Sequence, residues 1–251
     1  MSERTDDPHD FRAQRLYLDH DLAEGGRVGL TREQANYLLN VLRLAAGDAI
    51  RVFNGRDGEW RASIVPLSRR DAALDIGPRL RPQIDGPDID YLFAPLKRAR
   101  LDYMVQKATE MGVARLRPIM TRFTNAERVN LERMRANAIE AAEQCGILHI
   151  PAVMEPAKLD AVLAGWDGSR HLIFCDEGAA IGDPIAALRA VPRGALAVLI
   201  GPEGGFAEEE RAKLVAALFT TRISLGPRIM RADTAAVAAL TLVNAVLGDW
   251  H

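Results

Sequence analysis

The first stretch suited to chemistry is LIGPEGGFAEEE at residues 199–210, in which a hydrophobic segment runs through a glycine-rich loop into an acidic helix start. Its three glycines allow backbone angles and a close approach that any side chain would block. A ligand lying against this loop would be recognised mainly by backbone N–H and C=O groups, which suits the flat edge of an adenine. The loop lacks the GK[ST] ending of a P-loop and does not fit GxGxxG. The alternative is a tight strand-to-helix turn, with Glu203 and Glu208 stabilising the helix N-terminus.

The second stretch is ISLGPRIMRADTA at residues 223–235, a predicted strand followed by a Gly-Pro loop that carries two arginines. A nearly all-apolar helical segment comes next. A helix that is apolar around its whole circumference must be buried on all sides. The final helix of a small domain most simply buries its outer face against a second copy of the chain, which predicts a homodimer through the C-terminal domain. A central helix of the domain's own core is the alternative.

Size and composition are those of a globular protein, and 251 residues suffice for one large domain or two ordinary ones. No apolar run reaches the roughly 20 residues needed to span a bilayer, and the acidic N-terminus lacks the apolar region of a signal peptide. Cys145 and Cys175 form neither a metal-ligand spacing nor a disulfide framework, and the histidines are scattered. The sequence therefore predicts a cytoplasmic protein with no membrane segment and no metal.

Positive charge is concentrated in residues 97–135, which contain ten Lys or Arg residues and four acidic residues. A clustered basic region is typical of a protein that binds a polyanion. A solvated helical face is the alternative. The chain also has 28 arginines and only 4 lysines; arginine suits bidentate phosphate contacts and stacking on bases.

The N-terminal part has the pattern of a small β-rich unit. Five short alternating runs are separated by Gly, Asp and Asn turns, and NGRDG at 54–58 predicts a hairpin turn. One helix interrupts them, with Thr31 as its N-cap and Gln34 in the capping-box position. The stretch RPQIDGPD at 81–88 is the predicted linker.

From Asp90 onwards, apolar strands alternate with helices. This order predicts an α/β fold with a parallel sheet covered on both faces. Ligands of such sheets bind at the carboxyl ends of the strands, and both glycine-containing stretches fall at those ends.

The two stretches, in order with NVLRLAAGDAIRVFNG, KRARLDYMVQKATEMGV and IEAAEQCG, resemble the ribosomal-RNA uridine N3-methyltransferases of the RsmE type, members of the SPOUT superfamily of α/β-knot methyltransferases. The motifs cover most of the chain. The resemblance implies a SPOUT α/β domain with a deep trefoil knot over residues 83–251. It also implies a small PUA-like β-barrel over residues 1–82 that helps to hold RNA. True knots are exceptional, and general folding rules would argue against one.

The implied reaction moves a methyl group from S-adenosylmethionine to N3 of a uridine in 16S rRNA of the small ribosomal subunit. The cofactor would lie bent in the knot, and the dimer interface would complete the site. Uridine N3 carries a proton at neutral pH and is a poor nucleophile until that proton leaves. Catalysis therefore needs in-line placement of N3 against the methyl group and stabilisation of the developing uridinate, with the uridine unpaired and splayed into the pocket.

Position and resemblance together assign roles to individual residues. Arg231 is the predicted catalytic residue nearest the target base; an ion pair with Asp233 is the alternative. Glu203 would orient the substrate or a catalytic arginine, or cap the following helix. Phe174 would complete the cofactor pocket or serve as a core aromatic. The predicted cofactor-binding residues are Phe174, Ile200, Gly201, Pro202, Glu203, Gly204, Leu225, Gly226 and Met230; the predicted RNA-binding residues are Lys97, Arg98, Arg100 and Arg122.

Three positions depart from the family pattern. Phe123, in TRFTN, stands where family members usually carry an arginine, and Ile147 stands at a second such position. Tyr37 replaces a common histidine. Each departure concerns a polar residue that could meet RNA, whereas the cofactor loops match closely.

Two other functions are alternatives to methylation of uridine N3 in 16S rRNA. The chain could be a SPOUT methyltransferase that acts on tRNA or another RNA base. It could also be a non-catalytic RNA-binding protein of ribosome assembly. A nucleotide phosphate-binding enzyme is a third, weaker alternative.

Overall fold

The computed structural model describes residues 13–68, 71–124, 128–180 and 182–250. The N-terminal segment on which the targeting prediction rests lies outside them. The chain divides into two compact units: Met1–Asp85 with Ala142–His149, and Gly86–Ala141 with Ile150–His251. The segment Ala142–His149, which lies in the C-terminal part of the sequence, thus groups with the N-terminal unit. The order of predicted strands and helices along the chain did not indicate this.

The first unit contains a five-stranded sheet in the order β1–β3–β4–β5–β2. β1 pairs with β3 in parallel, and the other neighbouring strands are antiparallel. The five predicted strands are confirmed, as is the β3–β4 hairpin. Their bounds are β1 (Arg15–Tyr17), β2 (Arg27–Gly29), β3 (Ala49–Phe53), β4 (Glu59–Pro66) and β5 (Ala72–Arg81).

The helix of this unit, α1 (Arg32–Asn36), begins with the predicted capping box. Thr31 Oγ1 accepts a hydrogen bond from Gln34 N at 3.2 Å, and Gln34 Oε1 accepts one from Thr31 N at 3.0 Å. The helix continues into a π-helical turn, Tyr37–Val41. The apolar periodicity predicted a helix here without indicating its change of pitch.

A buried carboxylate joins four strands of this unit. Glu59 on β4 is fully buried and forms ion pairs with Arg15, Arg51 and Arg81 at 2.8–3.0 Å. Burial alone would raise the pKa of Glu59, but hydrogen bonds and charge from Arg81 and Arg15 outweigh it and lower the pKa. Removing one partner would leave an uncompensated buried charge, so this cluster stabilises the sheet only as a complete set.

The second unit contains a parallel sheet in the order β12–β10–β11–β6–β7–β8, with β9 also pairing with β7. Its strands are β6 (Ile89–Phe93), β7 (Arg115–Met120), β8 (Ala152–Val153), β9 (Ala157–Lys158), β10 (His171–Cys175), β11 (Leu196–Ile200) and β12 (Thr220–Ile223). Its helices are α2 (Arg98–Glu110), α3 (Leu131–Cys145), α4 (Leu159–Ala164), α5 (Pro184–Arg189), α6 (Glu208–Ala216) and α7 (Ala232–Val246). The predicted α/β alternation is confirmed.

The apolar C-terminal helix α7 packs one face into the core of this unit. Ala236, Ala239 and Val243 are buried there. Asn244 Nδ2 donates to Met111 O at 2.8 Å, which attaches α7 to the end of α2. Ala245 remains exposed on the opposite face, so α7 is a core helix on one side and accessible on the other.

Candidate active site

A cavity of about 680 Å³ opens at the carboxyl ends of β10, β11 and β12. Its volume lies within the range of small-molecule sites. The two glycine-containing stretches form facing parts of its wall, as their positions after β11 and β12 predicted. The predicted residues that line the cavity are Ile200, Gly201, Pro202, Glu203, Leu225, Gly226, Met230 and Arg231.

Two glycines are required by the geometry of these loops. A Cβ on Gly201 would lie 2.5 Å from the ring of Phe206, closer than real side-chain atoms approach. Gly226 has a φ of +102°, a backbone conformation that other residues rarely adopt. A side chain at position 201 would therefore displace the Phe206 ring, and one at position 226 would strain the backbone.

Two predicted cofactor residues lie behind or beside the cavity wall. Phe174 is fully buried, and its ring packs edge-on against Phe206 at 5.2 Å between centroids. Phe206 itself lines the cavity, so Phe174 supports the wall from behind. Gly204 faces Phe123: a Cβ on Gly204 would lie 3.3 Å from Phe123 Cβ.

Glu203, which lines the cavity, forms an ion pair with Arg100 of α2. Its Oε1 lies 2.9 Å from Arg100 Nη1, and both side chains are partly exposed. Glu210, not Glu203, accepts the hydrogen bond at the start of α6, from Ala207 N at 3.0 Å. The observed partner of Glu203 is Arg100, and Glu210 makes the hydrogen bond at the start of α6.

Arg231 is the N-cap residue of α7, and its exposed side chain lines the cavity. The carboxylate of Asp233 accepts a hydrogen bond from Thr234 N at 3.0 Å. A guanidinium at this position can stabilise negative charge that develops on a ligand in the cavity.

A cluster of one carboxylate and two arginines at the end of β10 was not predicted from the sequence. Asp176 lines the cavity and forms ion pairs with Arg211 and Arg222 at 3.0 and 2.7 Å. Both arginines also donate to Gly178 O. Burial opposes ionisation of Asp176, but hydrogen bonds from Arg211, Gly178 N and Arg222 outweigh it and lower its pKa. The cluster fixes the turn that follows β10.

The only signal for this cluster was an acidic residue directly after a buried strand. Its arginine partners lie on other elements, 35 and 46 residues further along the chain. The neighbouring Cys175 also lines the cavity, and burial raises the pKa of its thiol to about 12. Cys175 is therefore a neutral thiol at physiological pH and no thiolate nucleophile.

The basic region predicted to bind RNA divides into paired and exposed residues. Arg115 and Arg117 bind Asp90, and Arg133 binds Asp102. Because Asp90 lies outside the basic window, counting charges within the window overestimated its free positive charge. Lys97, Arg98 and Arg122 have exposed side chains, and Arg100 is partly exposed beside Glu203.

Over the described parts of the chain, no three His, Cys, Asp or Glu side chains are grouped as a metal site would require. Within the same residues, no helix combines the length and apolar character that crossing a bilayer demands.

A parallel α/β unit with a ligand-sized cavity at its strand ends, together with a small β-rich unit, defines a two-part protein with a ligand-binding site in the α/β unit. Residues 85–244 match the model of the RNA methyltransferase domain, and residues 30–76 match that of the RNA methyltransferase PUA domain. The chain belongs to this RNA methyltransferase family. The resemblance seen in the sequence and the PUA-like assignment are thereby confirmed.

Named relatives agree with this family. The chain is 31% identical to the ribosomal RNA small subunit methyltransferase E of Synechocystis sp., over 94% of this chain and 78% of that protein. It is 29% identical to the protein of the same name from Rickettsia conorii, over 93% and 96% of the two chains.

Two solved structures extend the comparison to the fold. A Legionella pneumophila methyltransferase in complex with the bound cofactor SAM has a TM-score of 0.83 and 28% identity, covering 95% of this chain and 99% of that one. A ribosomal RNA small subunit methyltransferase E from Neisseria gonorrhoeae bound to S-adenosyl methionine has a TM-score of 0.78 and 26% identity, covering 95% and 100%.

Proposed function

We propose that this chain transfers a methyl group from S-adenosylmethionine to N3 of a uridine in 16S rRNA of the small ribosomal subunit. The cavity carries this proposal: both glycine-containing stretches line it, and Arg231 lies at its wall. The names of the relatives and the cofactor bound in two similar structures support the choice of substrate and cofactor.

The cavity's residues fit S-adenosylmethionine. Ile200, Leu225 and Met230 provide apolar surface for an adenine, and the glycine loop exposes backbone groups to its edge. Glu177 and Glu203 place negative charge near a ligand that carries a sulfonium and an ammonium group. When bound, the cofactor supplies an electrophilic methyl group.

Arg231 stabilises the uridine as it loses its N3 proton to solvent. The positively charged guanidinium of Arg231 would stabilise the negative charge of the deprotonated uridine, and the bound cofactor would supply the methyl group that N3 accepts. Glu203, held by Arg100, fixes the outer side of the glycine loop. Lys97, Arg98 and Arg122 bind RNA phosphates around the opening.

The finer features of the fold belong to the same proposal. Residues 83–251 form a SPOUT domain with a deep trefoil knot, and residues 1–82 form a PUA-like barrel; the match to the RNA methyltransferase family supports both. The accessible face of α7 supports a homodimer that completes the site. An enzyme acting on ribosomal subunits works in the cytoplasm.

Labelled S-adenosylmethionine tests the proposal. The purified chain is incubated with naked 16S rRNA, with small subunits that lack the modification, and with tRNA. Label in 16S rRNA, either naked or in subunits, is the expected result. Label in tRNA alone would replace the proposed substrate, and cofactor binding without any transfer would favour the non-catalytic RNA-binding alternative.

A further inference from the structure

We infer that Phe123 is a base-stacking residue, whose ring binds the face of an unpaired nucleotide next to the methylated uridine. The inference rests on the proposed function and names one contact through which the RNA is recognised. Phe123 follows β7, and 43% of its surface is exposed, which leaves a large aromatic side chain accessible to solvent.

The segment that carries Phe123 is fixed by hydrogen bonds on both sides. Thr124 Oγ1 accepts from Thr121 N at 2.9 Å and lies 2.9 Å from Thr121 Oγ1. Arg122 N donates to Glu210 Oε1 at 2.9 Å, and Glu210 also binds the start of α6. The backbone is thus held while the ring remains exposed, as a preorganised binding surface requires.

The position of Phe123 relates it directly to the cavity. Its Cβ packs against Gly204, on the glycine loop whose neighbouring residues Pro202, Glu203 and Gly205 line the cavity. A base stacked on this ring would therefore lie outside the loop, next to a uridine inserted at the cavity. Splayed single-stranded RNA is bound in this way, with unstacked bases placed on aromatic rings.

The charge around the ring fits the same ligand. Arg122 precedes Phe123 and has an exposed side chain. Arg100 is ion-paired with Glu203 of the glycine loop, but 40% of its side chain is exposed. Basic side chains next to an exposed aromatic ring are the combination that binds single-stranded nucleic acid. An apolar protein partner would not be favoured by arginines at the rim.

Binding of two oligomers tests the inference. The probes are a fluorescein-labelled 12-nucleotide oligouridylate and the matched oligomer that has the same phosphates but no bases, each in the presence of S-adenosylhomocysteine. Phe123→Leu keeps an apolar side chain without a π-face, and Phe123→Tyr keeps the π-face. We expect Phe123→Leu to weaken oligouridylate binding about tenfold and to leave binding of the base-free oligomer unchanged; Phe123→Tyr should match the wild type.

Controls separate stacking from other roles. Leu218→Ala removes a fully exposed apolar side chain at the opposite edge of the sheet, before β12, and should bind both oligomers as the wild type does. Equal oligouridylate affinity for Phe123→Leu and wild type would overturn the inference. The inference would also be overturned if Phe123→Leu bound both oligomers equally more weakly, or if it lost S-adenosylhomocysteine binding. A shift of Phe123→Leu from dimer to monomer in sedimentation would overturn it as well, because Phe123 would then be a subunit contact. Failure of the proposed function would appear separately, as no methyl transfer by the wild type.

Discussion

At the scale of single residues, the proposed catalytic role of Arg231 can be tested by substitution. Replacing Arg231 with Gln keeps hydrogen-bonding capacity but removes the charge proposed to stabilise the developing uridinate. We expect Arg231→Gln to lower kcat about 10²- to 10³-fold and to leave the Kd of S-adenosylmethionine within about twofold of wild type. Single-turnover methyl transfer and equilibrium cofactor binding measure the two effects. The control is Arg189→Gln, the same substitution at an exposed arginine on α5. Loss of methyl transfer in both variants would contradict a specific catalytic role for Arg231.

Asp176 predicts a pH dependence of stability. Its pKa is lowered in the folded protein, so its contribution is complete above the ordinary carboxyl value of 3.8 and is lost as the pH falls through the lowered folded value. Asp176→Asn should lower the free energy of unfolding by about 2 kcal/mol at pH 7, and the difference from wild type should shrink below pH 4.

Urea unfolding at several pH values measures this difference. Asp160→Asn, which breaks an exposed ion pair with Lys213, should leave stability close to that of the wild type at any pH, because exposed ion pairs contribute little. A difference between Asp176→Asn and wild type that stays constant down to pH 2 would contradict the assignment of stability to the ionised carboxylate.

At the scale of elements, the glycine loop after β11 depends on the space beside Phe206. An Ala at position 201 would force the ring to move, since its Cβ would lie 2.5 Å away. We expect Gly201→Ala to weaken S-adenosylmethionine binding at least tenfold and to cost about 1–3 kcal/mol of stability. Calorimetric titration and denaturant unfolding measure these effects. Gly168→Ala, at a glycine with open space around it, is the control and should change neither cofactor binding nor stability. Unchanged cofactor binding in Gly201→Ala would show that the loop shape is not required.

Elements with a local signal were predictable from the sequence, and elements with distant causes were not. The capping box at Thr31, the buried strand β11 and the glycines at strand ends follow from neighbouring residues. The Asp176 cluster and the Glu203–Arg100 pair depend on partners brought together by the parallel sheet. Charge counts along the chain likewise missed Asp90, which neutralises two arginines of the basic window.

At the scale of the whole molecule, the accessible face of α7 predicts the state of assembly. Ala238 lies on this helix outside the buried set, and a long charged side chain there could extend into water in a monomer. We expect wild type to sediment as a dimer and Ala238→Arg as a folded monomer with little methyl transfer. Glu209→Arg on α6, an exposed charge change, is the matched control; a monomeric wild type with full transfer activity would contradict a dimeric site.

Mapping the transferred methyl group tests the proposed reaction most directly. Small ribosomal subunits lacking the modification are incubated with the chain and labelled S-adenosylmethionine, and the labelled nucleoside is identified by mass spectrometry after digestion of the 16S rRNA. The proposed reaction predicts a single labelled nucleoside, a uridine methylated at N3, which wild type forms and Arg231→Gln forms in reduced amount. Label on another base or another atom, or no label from a chain that binds the cofactor, would contradict it.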